Sequence, residues 1–377
     1  MELLVLTLPA VGFAIAFAVT AAMKRVAPRV GLVDKPGHRK IHKAPTPLGG
    51  GVAIFLSLAL PLLAAVVAVR LLDPAKPMLG MSADSWAAYL GGAKRETPLA
   101  LTVLGGMLVM HVMGLVDDRK ALGPYSKLFV QLAVAVAVVA PFKSLWSLTA
   151  VDARLGGTGV VAVGVSVLWI TAITNAFNFL DNMDGLSAGI AAVCATSFLV
   201  TALQIEQWFV AAALALLVGG LVGFLCFNFA PASIFMGDSG SLVIGLVLGV
   251  LTIRTTYLPP GADFGAGWYA VFAPLMVLAV PLYDLTVVSA IRVMNGKSPF
   301  VGDTNHLSHR LVRRGMSRRT AVLCIWLLTA ATSVAAAVLP HVASPTAAVL
   351  LFAQTVLVLG VVMLLEQHPL PVSKDEG

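Results

Sequence analysis

The chain has 377 residues, of which 59% are hydrophobic and only 11% are charged. Soluble domains carry about 25% charged residues, so this composition excludes an ordinary soluble protein and places most of the chain in lipid or against other apolar helices. The net charge of +7 indicates little by itself, because membrane proteins keep Lys and Arg in their loops, and no nucleic-acid partner is expected.

Apolar segments of about 20 residues, long enough to cross a bilayer, recur along the chain. The predicted spans are 3–23, 48–72, 98–116, 127–141, 160–179, 187–204, 208–227, 240–256, 267–290, 321–340 and 346–365. The first is predicted to be a retained span, not a cleaved signal peptide, because Lys24 and Arg25 follow its apolar run. We therefore expect an all-α integral membrane protein of about eleven transmembrane helices, with residues 1–377 forming one domain.

The distribution of Lys and Arg predicts the orientation of these helices. The loops after the odd-numbered spans and the C-terminal tail hold 18 of the 25 basic residues. Such an excess marks the cytoplasmic side of a membrane protein. We therefore expect the N-terminus outside and the C-terminus in the cytoplasm.

Unusual polar residues follow the same odd-numbered spans. They are the segment 34–43, Asp117 and Asp118, then Asn178, Asp181 and Asp184, then Asp238, and last Asp303, His306 and His309. Scattered structural carboxylates would not be expected to sort to one face. The pattern predicts a single active site in the cytoplasmic loops.

Several carboxylates crowded together repel one another unless a cation lies between them. Oxygen ligands favour Mg²⁺ or Mn²⁺, with waters and substrate phosphates completing the shell. The basic segments KPGHRKIHK and RVMNGKSPFVGDTNHLSHRLVRRG supply positive charge suited to phosphate oxygens. Together these features favour phosphoryl transfer between a soluble and a lipid substrate.

Three alternatives remain open at this point. His306 and His309 could be zinc ligands, although no third His or Cys lies nearby. A secondary transporter would also carry intramembrane acids, but transporter sites usually lie near the bilayer midplane, whereas these acids lie at helix ends. A non-catalytic membrane scaffold would leave the clustered carboxylates unexplained.

Five motifs resemble those of the polyprenyl-phosphate N-acetylhexosamine-1-phosphate transferases. They are GLVDKPGHRKIHKAPTPLGG, GLVDDRKALGPYSKL, NAFNFLDNMDGLSAG, FNFAPASIFMGDSGSLVIG and PLYDLTVVSAIRVMNGKSPFVGDTNHLSHRL, in family order between Gly31 and Leu311. The resemblance implies transfer of a sugar 1-phosphate from a UDP-sugar to undecaprenyl phosphate, with release of UMP. It also implies a requirement for Mg²⁺, for which Mn²⁺ can substitute, and a location at the inner face of the bacterial plasma membrane. A homodimer is plausible by the same resemblance.

The resemblance also implies roles for individual residues. The catalytic candidates are Asp117, which would orient or deprotonate the lipid phosphate, and Asp118, Asp181 and His306. Asp238 would bind the metal with Asn178, and the other substrate-binding candidates are Lys43, Lys127, Asp184, Phe235, Arg292 and His309. Direct attack by the lipid phosphate is favoured over a covalent aspartyl-phosphate, because a phosphate monoester is already mostly ionised near neutral pH.

The last loop departs from the family pattern at two positions. The family usually has H-x-H-H, whereas this chain has Ser308 in place of the middle His, and Thr304 where Arg is common. Both positions lie in the loop that would contact the sugar. N-acetylglucosamine is the expected donor sugar, with UDP-N-acetylgalactosamine and UDP-N-acetylmuramoyl-pentapeptide as alternative donors.

Overall fold

Helices make up nearly all of the described structure. The computed structural model describes residues 1–34, 45–78, 80–147, 149–255, 271–299, 302–341 and 344–367. Its helices are α1 (Glu2–Val26), α2 (Gly50–Leu71), α3 (Ala83–Arg119), α4 (Pro124–Val139), α5 (Thr149–Arg154), α6 (Val160–Leu180), α7 (Leu186–Gln204), α8 (Trp208–Asn228), α9 (Asp238–Arg254), α10 (Phe272–Val277), α11 (Ala279–Met294), α12 (Leu307–Arg313), α13 (Arg318–Val338) and α14 (Pro345–Gln367). One antiparallel pair, β1 (Val33–Asp34) and β2 (Thr46–Pro47), joins α1 to α2.

In the described part of the chain, each predicted membrane span overlaps one α-helix, except the ninth, which overlaps two. Eight helices in the described part of the chain are long and apolar enough to cross a bilayer: α1, α2, α3, α6, α7, α8, α13 and α14. Three further predicted spans correspond to shorter helices, namely α4, α9 and the pair α10–α11. The predicted class of all-α multi-pass membrane protein is confirmed, while the side that each terminus faces stays a prediction.

Helix α3 is much longer than the predicted span 98–116. It begins at Ala83, where the Ser82 hydroxyl accepts a hydrogen bond from the Ser85 backbone N–H, and it has 37 residues. At about 1.5 Å per residue the helix is about 55 Å long, which exceeds the roughly 30 Å hydrocarbon core. The charged run Lys94–Glu96 lowers the local hydropathy, so its polar first half was not recognised as helix.

The ninth predicted span, 267–290, is interrupted in the structure. Its first four positions lie outside the described residues, and the remainder divides into α10 and α11 at Leu278. Pro281 explains the break, because it has no N–H to donate to the carbonyl of Val277 and its ring crowds that carbonyl.

Helix α9 lies at the centre of the bundle. Its residues from Ser239 to Thr252 are all buried, as is typical of a helix that is apolar on every side. Glycines in the two neighbouring helices, Gly51 in α2 and Gly114 in α3, allow the first turn of α9 to approach closely. A Cβ atom on Gly51 would lie 2.4 Å from the backbone N of Gly240, and one on Gly114 would lie 2.3 Å from the backbone N of Ser239. The beginning of α9 is therefore packed directly against α2 and α3.

Candidate active site

The first turn of α9 is held by a carboxylate from α3. Asp118 accepts hydrogen bonds from the backbone N–H of Asp238 (2.8 Å) and of Ser239 (3.3 Å). These donors have no partner inside the helix, and the partial positive charge at a helix N-terminus favours a carboxylate there. Gly237 permits this approach, because its φ is +72° and a Cβ would lie 2.5 Å from an Asp118 oxygen. Asp118 therefore fixes the position of the Asp238 backbone, from which the Asp238 side chain extends.

A lysine lies between two of the predicted carboxylates. The Lys127 ammonium is 2.8 Å from Asp238 Oδ2 and 3.2 Å from Asp117 Oδ2. Asp117 Oδ1 also accepts a hydrogen bond from the Leu122 backbone N–H at 2.7 Å, which shapes the short turn between α3 and α4. That turn, ended by Pro124 at the start of α4, brings Lys127 back toward the end of α3.

The end of α6 contributes an amide and a further carboxylate. Asn178 Nδ2 donates to Asp238 Oδ1 at 2.9 Å and to Ser241 Oγ at 3.0 Å. Burial, together with the Asp238 and Asp118 carboxylates, raises the pKa of Asp181 to about 8. The raised pKa favours the protonated form of Asp181 beside these acids, and a cation among them would favour its ionised form. The acids predicted to share one site do lie together.

The loops beside this cluster are tied to each other. Asp184 Oδ2 accepts a hydrogen bond from the Ala232 backbone N–H at 2.9 Å. Asn228 accepts from the Gly185 N–H and donates to the Ile234 carbonyl, at 3.0 and 2.9 Å. Phe235 continues this loop and pairs with the β2 segment, since its N–H donates to the Pro47 carbonyl at 2.9 Å. Asp184 and Phe235, two of the predicted substrate-binding residues, therefore lie on loops that are hydrogen-bonded to neighbouring segments.

A second polar cluster surrounds Arg292, at the end of α11. Only 2% of the Arg292 side chain is exposed; its Nη2 lies 3.1 Å from Asp303 Oδ1, and its Nη1 donates to the Pro299 carbonyl at 2.6 Å. Burial raises the pKa of Asp303, but hydrogen bonds from Arg292 and Asn305 lower it more, to about 2. Asp303 therefore stays ionised as the partner of Arg292.

His306 is held by a fully buried carboxylate that the sequence analysis did not select. Its Nδ1 lies 2.7 Å from Asp284 Oδ2, and Asp284 Oδ1 accepts from the Leu307 backbone N–H at 2.7 Å. A carboxylate at Nδ1 assigns the proton to that nitrogen, so Nε2 is the acceptor, and it lies 3.4 Å from Arg292 Nη2. The His309 ring centroid is 6.3 Å from that of His306, and burial, with the charges of His306 and Arg313, lowers the pKa of His309.

The two clusters meet at the end of α6. The Phe179 ring lies 4.9 Å from the Arg292 guanidinium carbon and faces the edge of the His306 ring at 5.8 Å. The Ser308 hydroxyl donates to Asn182 Oδ1 at 2.6 Å. The loop that carries the histidines is thus attached to the same turn that carries Asp181 and Asp184.

The carboxylate cluster fits a magnesium ion better than a zinc ion. No group of three or more His, Cys, Asp or Glu side chains is arranged to hold a metal among the described residues. Structural zinc sites need four such ligands, whereas Mg²⁺ is usually bound by one or two carboxylates together with substrate phosphates and waters. Asp238 would supply one such carboxylate; its two oxygens lie 2.9 Å from Asn178 Nδ2 and 2.8 Å from the Lys127 ammonium. His306 has its Nδ1 engaged by Asp284.

Most of the predicted site residues lie in these two clusters. The first contains Asp117, Asp118, Lys127, Asn178, Asp181 and Asp238, with Asp184 and Phe235 on the adjoining loops, and the second contains Arg292, His306 and His309. Lys43 falls outside the described residues. Asp284 and Asn228 were missed, although an acid inside an apolar helix is a signal of function that the sequence does carry at Asp284.

Comparison with known proteins identifies relatives over most of the chain. A family model described as glycosyl transferase family 4 matches residues 100–256. A probable undecaprenyl-phosphate N-acetylglucosaminyl 1-phosphate transferase of Bacillus subtilis is 30% identical over 85% of this chain and 81% of its own. A decaprenyl-phosphate N-acetylglucosaminephosphotransferase of Mycobacterium tuberculosis is 32% identical over 83% of this chain and 77% of its own. A phospho-N-acetylmuramoyl-pentapeptide-transferase of Desulforudis audaxviator is 31% identical over 76% of this chain and 82% of its own.

Proposed function

Since the chain belongs to the polyprenyl-phosphate N-acetylhexosamine-1-phosphate transferase family, we propose that it transfers N-acetylglucosamine 1-phosphate from UDP-N-acetylglucosamine to undecaprenyl phosphate. The coarser activity, transfer of a sugar 1-phosphate to a polyprenyl phosphate by a multi-pass membrane protein, follows from the family. The transporter and scaffold interpretations of the sequence are therefore set aside.

One observation supports the proposed chemistry above the others. The Lys127 ammonium contacts Asp238 at 2.8 Å and Asp117 at 3.2 Å, where α3 ends and α9 begins. The Arg292 cluster contacts the end of α6 and the turn between α6 and α7. Phosphoryl transfer depends mainly on positioned positive charge and on alignment of the two phosphates. Lys127 beside two carboxylates, and the buried Arg292 against Phe179 at the end of α6, supply that positioned positive charge.

The reaction is a direct displacement at phosphorus. A lipid phosphate oxygen forms a bond to the sugar-bearing phosphorus of the UDP-sugar, and the bond from that phosphorus to the UMP oxygen breaks. Lys127 holds phosphate oxygens, Asp117 orients the attacking phosphate, and Asp118 fixes Asp238 through the backbone of α9. Asp238 and Asn178 would hold Mg²⁺, which supplies Lewis-acid stabilisation of pyrophosphate charge when it is bound.

Release of UMP should require both substrates. We expect no UMP burst and no covalent phosphosugar on the protein when UDP-N-acetylglucosamine is added alone, because the proposed nucleophile is the lipid phosphate. Rapid-quench measurement of UMP with and without undecaprenyl phosphate tests this expectation. A stoichiometric burst without lipid, or a trapped phosphosugar on an aspartate, would instead indicate a two-step route.

Loss of the Asp284 carboxylate should weaken donor use. The Asp284→Asn variant keeps the shape of the side chain but removes the charge that orients His306, so kcat/KM for the UDP-sugar should fall about 10²-fold, as misplacement of a group in a site can cause. Steady-state kinetics on detergent-purified protein measures the effect. The exposed Asp73→Asn variant is the control, and wild-type kinetics in Asp284→Asn would contradict a role for His306 in use of the UDP-sugar.

The location and assembly of the enzyme are also part of the proposal. We place it in the bacterial plasma membrane with both polar clusters facing the cytoplasm, where a UDP-sugar is available, and the excess of basic residues in the odd-numbered loops supports this orientation. A homodimer remains a proposal from the family resemblance.

A further inference from the structure

The end of the last helix contacts the loop that carries the histidines. Glu366, near the end of α14, has its Oε2 2.8 Å from Arg310 Nε in α12. Tyr283 of α11 donates its hydroxyl to the same oxygen at 3.2 Å. Only 11% of the Arg310 side chain and 6% of the Glu366 side chain are exposed. Three helices that are separate in sequence thus meet at one buried ion pair.

Hydrogen bonds continue from this pair toward Arg292. Arg310 Nη1 donates to the Asn305 carbonyl. The Asn305 backbone N–H and side-chain amide donate to Asp303 at 3.1 and 2.9 Å, and Asp303 accepts from Arg292 at 3.1 Å. A displacement of Arg310 would therefore move the segment 303–306, which contains His306 and the Asp303 partner of Arg292.

Stability alone does not account for an ion pair at this place. Arg310 Nη2 and Glu366 Oε1 are buried without a hydrogen-bond partner among the described residues, so the pair is incompletely satisfied. A buried ion pair of this kind is often no more stable than apolar side chains of similar size. Only 11% of the most apolar 18-residue segment of α14 is buried against the rest of the protein. Apolar side chains would have anchored the end of this helix equally well.

We propose that Glu366 is a positioning residue for the donor sugar. It acts through Arg310 on residues 303–309, which lead into and begin α12. This inference rests on the proposed function, because it takes the Arg292–His306 cluster to be the sugar side of the site. It assigns a role in donor use to the last helix, whose end lies far from the carboxylate cluster in sequence. The lipid substrate, which would meet Asp117 and Lys127, should be unaffected.

The test is a comparison of Michaelis constants for the two substrates. The Glu366→Gln variant should raise KM for UDP-N-acetylglucosamine and lower kcat/KM for it by up to about 10²-fold, the size expected for a misplaced binding group, while KM for undecaprenyl phosphate stays within about twofold of wild type. Tyr283→Phe leaves no charge unpaired and should change donor KM in the same direction by less. Adding Arg310→Gln to Glu366→Gln should cost little more, because the two side chains act as one unit.

The matched control is another Arg–Glu pair at the opposite end of the bundle. Glu96 Oε1 lies 2.6 Å from Arg254 Nη2, and Glu96→Gln should lose the same kind of contact without changing donor KM. The inference is overturned if Glu366→Gln leaves donor KM unchanged, raises both Michaelis constants equally, or is matched by Glu96→Gln. If Glu366→Gln does not fold, an unchanged donor KM in Tyr283→Phe overturns it. Wild-type protein inactive with the UDP-sugar would instead contradict the proposed function.

Discussion

We expect the Asp238→Asn variant to lose nearly all turnover while its fold survives. The substitution keeps the size of the side chain, and the contacts of Asp118 go to the backbone N–H groups of residues 238 and 239, so the first turn of α9 remains anchored. The lost charge is the one that would hold a divalent cation beside Lys127 and Asn178. Turnover should fall by about 10³-fold, the upper range for removal of one preorganised electrostatic group. UMP release by the purified variant measures the loss of turnover, and its thermal unfolding curve shows whether the fold survives.

The control for this variant is a buried carboxylate at the other end of α6. Asp152 accepts hydrogen bonds from the backbone N–H groups of Gly159, Val161 and Ala162 through its two oxygens. Asp152→Asn should therefore cost about 1–3 kcal/mol of stability, because its NH2 group cannot accept the bonds that one of these oxygens accepts, and it should leave turnover near wild type. EDTA should silence the wild-type enzyme, and Mg²⁺ or Mn²⁺ should restore it. Near-normal activity of Asp238→Asn, or activity that survives EDTA, would contradict the metal assignment.

The helical class could be predicted from the sequence because bilayer thickness sets the length of apolar segments. The limits of that rule appear in α3 and at Leu278. Hydropathy responds to side chains in the lipid core, so it missed the helical residues 83–97, which carry charges and lie outside the predicted span. It also joined α10 and α11, because a single proline hardly lowers the mean hydropathy of an apolar segment although it breaks the hydrogen-bond ladder.

The composition of the site was also largely predictable, since the acids sorted to the ends of odd-numbered spans. Which groups they contact was not. That Asp118 caps α9 depends on how closely α3 approaches it at Gly114, and nothing local to either segment specifies that distance. Likewise, the pairing of Asp284 with His306 joins residues 22 positions apart, so only the fold shows that the carboxylate orients the imidazole.

Ser308 has a structural role that bears on the choice of sugar. Only 1% of it is exposed, and its hydroxyl donates to Asn182 at 2.6 Å, so it ties the 303–309 loop to the turn that carries Asp181 and Asp184. A histidine, which the motif resemblance would place at this position, is larger than serine and would need to displace Asn182 or residues 303–309. The space and the hydrogen-bonding groups on the proposed sugar side of the site therefore depend on this small residue.

We expect UDP-N-acetylglucosamine to be the preferred donor and UDP-N-acetylmuramoyl-pentapeptide to be inert, with UDP-N-acetylgalactosamine between them. Buried polar groups that a wrong sugar leaves unpaired reduce kcat/KM steeply, by about 10²- to 10⁴-fold, and the Arg292–His306 cluster is such a buried polar surface. Competition among the three donors in one assay ranks their kcat/KM values. Ser308→Ala removes the hydrogen bond to Asn182 without adding bulk. If that bond fixes the position of residues 303–309, the variant should show smaller differences in kcat/KM among the three donors. A preference for the muramoyl-pentapeptide donor would show that our interpretation of the loop is wrong, although transfer of a sugar 1-phosphate to the polyprenyl phosphate would stand.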